Sequence, residues 1–159
     1  FPVALDNMGA KFRFLNLEVD RKSFSPPDGI DVEVTAVRHN HPGGAYSYRF
    51  ERAGSSFAFC TDIEHGDHID PRVVDLCRGV DLLIHEAQFT TEELKLKKGW
   101  GHSSFDQAMS VAEQACVGQL VMTHHDPDHD DAFLLEMEKK CQQRLPNCVL
   151  AREGMEFSL

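Results

Sequence analysis

Five polar stations, His41, Asp62, the pair His85-Glu86, His102 and His124, each stand where an apolar or β-patterned stretch of this chain gives out. Side chains suited to metal and proton chemistry, repeated at strand and loop ends, can meet only if the fold brings those ends to one rim of a sheet. The contexts are HPGGAYSYRF, CTDIEH, LLIHEAQF, GHSS and VMTHHDPDHDD. Such ordered placement restricts the architecture more tightly than any overall composition.

The intervening segments supply the strands and helices. Residues 11–17 alternate around Phe12 and Phe14 and predict a strand. Ser25-Pro26-Pro27-Asp28-Gly29 is a turn, after which residues 30–39 set Ile30, Val32, Val34 and Ala36 on one strand face. Residues 46–52 and 56–61 flank Ala53-Gly54-Ser55 as a hairpin with an aromatic face. From there the pattern turns to helix and strand in alternation. A short helix is predicted over 71–78 with Asp70 as its N-cap, then a strand over 80–85 and a helix over 90–98 stopped by Gly99-Trp100-Gly101. A helix over 105–117, a strand over 119–123 and an amphipathic helix over 130–145 follow. A terminal hairpin, 148–152 with 155–159 around Glu153-Gly154, closes the prediction. The class is α/β, with antiparallel strands first and alternating helices and strands after.

At 159 residues the chain is expected to form one domain. No apolar run approaches the roughly 20 residues needed to span a bilayer, and no membrane partner is expected. The amino end lacks the basic and apolar regions of a signal peptide. Five cysteines without a CxxC pair fit a reducing cytoplasm. A net charge of −10 argues against a general nucleic-acid surface, so nucleic acid is expected to be an unlikely partner.

The ordered motifs resemble the second half of the metallo-β-lactamase superfamily, in particular its ribonuclease Z-like and cyclic-phosphodiesterase branches. The HxHxDH loop that opens the family signature is not found in these residues. The resemblance therefore implies the C-terminal part of an αββα sandwich over 1–159, a domain that is incomplete, with an incomplete site. It also implies that the chain pairs with a missing N-terminal half or self-associates.

The resemblance assigns roles residue by residue. His41, followed by Ser47-Tyr48 where the family has a glycine-tyrosine pair, implies a metal ligand. Asp62 resembles the carboxylate that bridges two metals, against its plainer reading as a turn cap. His124, in a Leu-x-x-Thr-His context, resembles the last metal ligand. His85-Glu86-Ala87-Gln88 and His102-Ser103-Ser104 resemble the family's HEAT and HST stretches, which makes His102 the proton donor to the leaving oxygen and Glu86 its orienting acid. His85, ending an apolar strand, reads as a structural histidine. His65, Asp67, His68 and Asp70 read as a solvated acidic rim, and Asp126–Asp131 as an acidic helix start rather than a calcium loop.

The implied cofactors are two divalent metal ions sharing a hydroxide, zinc by donor type, with manganese or iron as alternatives. The implied activity is that of a phosphodiesterase acting on a small-molecule substrate, a small phosphodiester or cyclic nucleotide. The interval between His41 and Asp62 holds only a short hairpin, where ribonuclease Z enzymes insert a long arm. Lactone or thioester hydrolysis on the same fold, or a non-catalytic partner-binding role, are the alternatives.

Overall fold

In the computed structural model, Gly9, the backbone of Arg21–Phe24 and residues 31–159 are described. The predicted strand over 11–17 and the turn at 25–29 lie outside the described residues. A seven-stranded sheet runs in sequence order, β1 (Arg21–Phe24), β2 (Glu33–His39), β3 (Ala45–Arg52), β4 (Ser55–Cys60), β5 (Leu82–Glu86), β6 (Gln119–Thr123) and β7 (Cys148–Leu150). The first four pair antiparallel, and β4 to β7 pair parallel. The change comes where the sequence pattern changes, because parallel neighbours need a crossover and the helices supply it. Those helices are α1 (Pro71–Cys77), α2 (Thr91–Leu96), α3 (Phe105–Ala115) and α4 (Asp131–Arg144).

Local chemistry sets the element ends. Ala53 (φ 49°) and Gly54 (φ 89°) form a two-residue turn between Arg52 and Ser55. Positive φ at both positions is the type I′ geometry whose twist suits a hairpin. The side chain of Asp70 accepts from the Arg72 N–H at the start of α1, as predicted. Thr90 and Ser104 close reciprocal capping boxes with Glu93 and Gln107 ahead of α2 and α3. Asp130 caps α4, and Asp131 lies in its first turn, where negative charge complements the helix dipole.

Helices α1, α3 and α4 cover one face of the sheet. Ala58 and Cys60 of β4, Leu83 of β5, Leu120 and Met122 of β6 and Leu150 of β7 meet Val73, Cys77, Ala108, Val111, Ala112 and Cys141 in one core. Arg49 of β3 donates to the Leu76 and Arg78 carbonyls at the end of α1 (3.1 and 2.7 Å), pinning that helix across the sheet. Strand β2 buries both faces, Thr35 and Val37 as well as Val34 and Ala36, because α1 packs against its second face. The sequence alone assigned only one face of β2 to the interior.

The opposite face of the sheet is aromatic. Tyr48, Phe50 and Phe57 form a ladder with Phe50 stacked on Phe57 at 4.6 Å, and Phe59, paired with Tyr48, is 39% exposed. Among the described residues there is one sheet, with helices packed on one of its faces. The predicted terminal hairpin does not form. Only Cys148–Leu150 pairs, parallel to β6, and after Leu150 the chain turns at Arg152–Met155 into unpaired residues exposing Phe157 and Leu159. The end of β7 is instead held by Glu138 of α4, which accepts from the Leu150 N–H (2.9 Å) and from Arg152. Among the described residues no helix is long and apolar enough to cross a membrane.

Gly118 lies between α3 and β6, against the start of β5. A Cβ there would meet the Asp81 carbonyl oxygen at 2.6 Å, and Gly118 N–H also donates to the Val80 carbonyl (2.8 Å). Backbone cannot yield as a flexible side chain does. Gly118→Ala is expected to lower stability by about 1–3 kcal/mol, the usual cost of overpacking, read as a fall in the urea midpoint at unchanged slope.

Candidate metal and proton-transfer site

Strands β2, β4, β5 and β6 all run in the same direction, so their C-terminal ends share one edge. His41 follows β2, Asp62 follows β4, Glu86 ends β5 and His124 follows β6. His102 comes from the loop between α2 and α3. That loop is tied to the end of β5: Gln88 and Phe89 N–H donate to the Ser103 carbonyl (3.1 and 3.2 Å), and Phe105 N–H donates to the Phe89 carbonyl (3.0 Å).

His41, Asp62 and His102 each offer a donor atom, and these atoms lie within 4.8 Å of one another. His124 Nε2 is 4.0 Å from Asp62 Oδ1, and its ring stacks on that of His102 at 5.0 Å. All the residues assigned from the sequence thus converge. The compact triad contains His102, read from sequence as the proton donor, while His124 stands at its margin and is 39% exposed. The His41 and His124 imidazoles and the Asp62 carboxylate, with the His102 ring beside them, form a donor set that fits a divalent ion. Asp62 (φ 55°) and His124 (φ 60°) both hold left-handed backbone, which non-glycine residues rarely adopt. Strain of this kind concentrates where a side chain must be aimed.

Glu86 lies beneath this cluster with 0% exposure. Its Oε1 accepts from the Ile63 N–H and faces His102 Nδ1 at 3.2 Å, and its Oε2 accepts from the Ser103 N–H at 3.1 Å. Burial pushes the Glu86 carboxyl up to about 8, although the two N–H donors pull the other way. Burial, helped by the neighbouring His124, lowers the His102 imidazole. Both shifts favour the neutral form of the group concerned. With Nδ1 turned to Glu86, His102 keeps Nε2 for the open side of the site.

A second layer of histidine, His65 and His85, lies near this cluster. His65, expected on a solvated rim, is buried. Its Nδ1 accepts from the Asp70 N–H (3.3 Å), which places its proton on Nε2, 3.2 Å from His85 Nε2. His85 Nδ1 then donates to the Glu86 carbonyl at 2.6 Å. This relay of neutral rings leaves His85 structural, as expected. His65 is internal because the loop after β4 turns back onto the sheet, which no local pattern announced. Glu64, also buried, was overlooked, and in the sequence it is merely one acidic residue in an acidic loop. Elsewhere, His125 packs on Phe105 at 6.0 Å and His129 on Phe133 at 4.1 Å, both apart from the cluster.

Comparison with known proteins places this arrangement. Residues 8–125 match the model of the beta-lactamase superfamily domain, and the chain belongs to that family. It is similar to Ribonuclease Z of Synechococcus sp. (strain CC9902), 37% identical over 112 residues that cover 69% of this chain and 34% of the relative. The chain thus spans about a third of the length of the curated relatives it matches. Among solved structures, human tRNase Z, short form, superposes with a TM-score of 0.64 at 24% identity, covering 86% of this chain and 46% of that one. The metallo-beta-lactamase fold protein YhfI from Bacillus subtilis gives 0.69 at 18% identity, covering 84% and 51%. These relatives overturn the expectation that nucleic acid is an unlikely partner. Net charge was the wrong measure, because it averages over the whole chain and says nothing of the charge at one local surface.

Burial lowers His65 to about 3 and His85 to about 4, against an ordinary 6.5. Below pH 6.5 the unfolded chain therefore binds protons that the folded chain refuses, and these two rings make stability fall as pH falls. Glu86, raised above its ordinary 4.5, acts in the opposite sense between pH 4.5 and about 8. Comparing variant with parent removes that contribution. His65→Gln is expected to flatten the loss of melting temperature between pH 6.5 and 4.5, and an unchanged slope would show that the relay does not hold its rings neutral.

Proposed function

We propose that this chain carries part of the active site of a metal-dependent phosphodiester hydrolase. The observation that carries the reading is the Glu86–His102 pair: a buried carboxyl 3.2 Å from Nδ1 of an imidazole that itself lies beside Asp62 and His41. A departing alkoxide, from a phosphodiester or a lactone, needs a proton that a thioester's thiolate does not, and the choice of phosphorus over acyl carbon rests on the relatives. Its relatives, named Ribonuclease Z, support the same reaction class.

His41, Asp62 and His124 are the proposed metal ligands, and the two carboxylate oxygens of Asp62 would let it serve more than one ion. Zinc suits this mixture of imidazole and carboxylate, and divalent ions bound there supply an activated water and polarise the phosphoryl oxygens. The chain's own contribution is proton delivery. His102 donates its Nε2 proton to the leaving oxygen, while the proton of the Glu86 carboxyl passes to Nδ1, so the ring remains neutral throughout. The N–H groups of Ile63 and Ser103 then receive the developing Glu86 carboxylate.

The scissile group is the same in a small phosphodiester and in an RNA strand. The short β3–β4 hairpin between His41 and Asp62 supports the small substrate. The names of the relatives, together with Lys97 and the exposed Trp100, support RNA. Turnover of a cyclic nucleotide, a bis-aryl phosphodiester and a structured RNA, measured side by side, separates the two.

In the intact protein, His102→Ala is expected to slow a phosphodiester with an alkoxide leaving group by roughly 10²–10⁴-fold. A nitrophenolate ester, which scarcely needs the proton, is expected to suffer much less. Equal losses on both would remove His102 from proton donation. Dialysed protein is expected to hold at most about one zinc-like ion, with Asp62→Ala lowering the content further on elemental analysis. Two tightly held ions would require another ligand set.

A further inference from the structure

We infer that Glu64 is the positioning residue that holds the three site-bearing segments in register. This rests on the metal-site reading above. Its backbone belongs to the loop of Asp62, two residues away. Its N–H donates to the Asn40 carbonyl (3.0 Å), and the Asn40 side chain donates back to the Glu64 carbonyl (3.3 Å), fixing the residue that precedes His41. Its side chain, almost buried at 8% exposure, spans to the third segment. Oε1 accepts from the Gly99 N–H at 2.8 Å, and Oε2 from the Gly101 N–H at 3.0 Å, immediately before His102.

The two glycines show how tightly this clamp is drawn. Gly101 (φ +95°) lies so close to His41 that a Cβ would sit 2.3 Å from the ring carbon Cδ2 and 2.7 Å from Pro42 Cδ. The loop of His102 is thus pressed against His41, and Glu64 supplies the bonds that keep it there. No other residue described touches all three segments by hydrogen bond, and the exposed Lys98–Asp67 pair (2.8 Å) joins only the two outer loops. A carboxylate suits the task because it accepts two N–H bonds at once, in an environment where an unmet amide is costly. An amide side chain of the same size offers only one acceptor, and turns its NH2 against the second N–H.

The test uses zinc alone as the probe, on the full chain, with affinity read by competition against a chromophoric chelator well below the melting temperature. Glu64→Gln is expected to weaken zinc binding by about 10–100-fold, the usual effect of disturbing a group that orients metal ligands. Asp67→Asn, which weakens an exposed tie between the same two loops, is expected to leave affinity unchanged. Unaltered zinc affinity in Glu64→Gln, whatever its melting temperature, overturns the proposal, as does an equal loss in Asp67→Asn. Hydrogen exchange on the unsubstituted protein gives a second measurement that needs no variant: the Gly99 and Gly101 amides are expected to be protected although they lie in a loop. Free exchange at both would overturn the clamp. Zinc affinity that depends on Glu64, with the intact protein inactive on every phosphodiester, would reject the proposed reaction and leave the positioning role intact.

Discussion

A carboxyl group with no exposure to solvent, that of Glu86, is the constraint from which the geometry of the site follows. Burying a carboxyl without partners would cost several kcal/mol, so the fold must bring donors to it. Those donors are the Ile63 N–H from the loop after β4 and the Ser103 N–H from the loop before α3, which also sets the His102 ring against the carboxyl. Meeting the needs of Glu86 therefore places Asp62 and His102 beside each other. Ser103 makes the tie reciprocal, since its hydroxyl donates to the Ile63 carbonyl. The polar interior is thus a set of mutual obligations, each loop satisfying a group on another.

The same edge concentrates conformational strain. Asp62 and His124, at the ends of neighbouring parts of the sheet, are two of the four described non-glycine residues with positive φ. The parallel strands around them are buried and regular, and the departures begin where the strands end. A rigid sheet can hold such backbone because the cost is spread over many ladder bonds. The hydrogen-bonded layer of His65 and His85 beneath the rim gives that edge a firm floor.

Much of this was legible in the sequence, and what was missed has a common cause. Strand β6, the caps at Asp70 and Asp130, and helices α1 to α4 carry local signals: alternation, capping residues, glycine stops. The convergence of His41, Asp62, Glu86, His102 and His124 followed from their repeated placement at element ends. Burial of His65 and the double hydrogen bond of Glu64 were not legible, because both depend on a loop folding back across the sheet. The hairpin expected after Pro146 has alternating residues and a glycine turn, yet β7 takes its partners from β6 and α4 instead. The buried second face of β2 likewise depends on α1, more than 30 residues further on. Local pattern names the elements, and tertiary packing decides which side of each is wet.

The type I′ turn at Ala53-Gly54 has one more consequence. It lies at the end of β3 and β4 remote from the rim, a full strand length from Asp62, and both its residues are exposed. Lengthening a surface loop costs little chain entropy, growing only with the logarithm of its length. Extra sequence spliced at this point would leave the ladder, the strained ligands and the Glu86 network untouched. The architecture therefore separates a fixed chemical edge from an edge open to growth, so that lineages built on the same sheet can acquire new means of holding a substrate without renegotiating how they cut it.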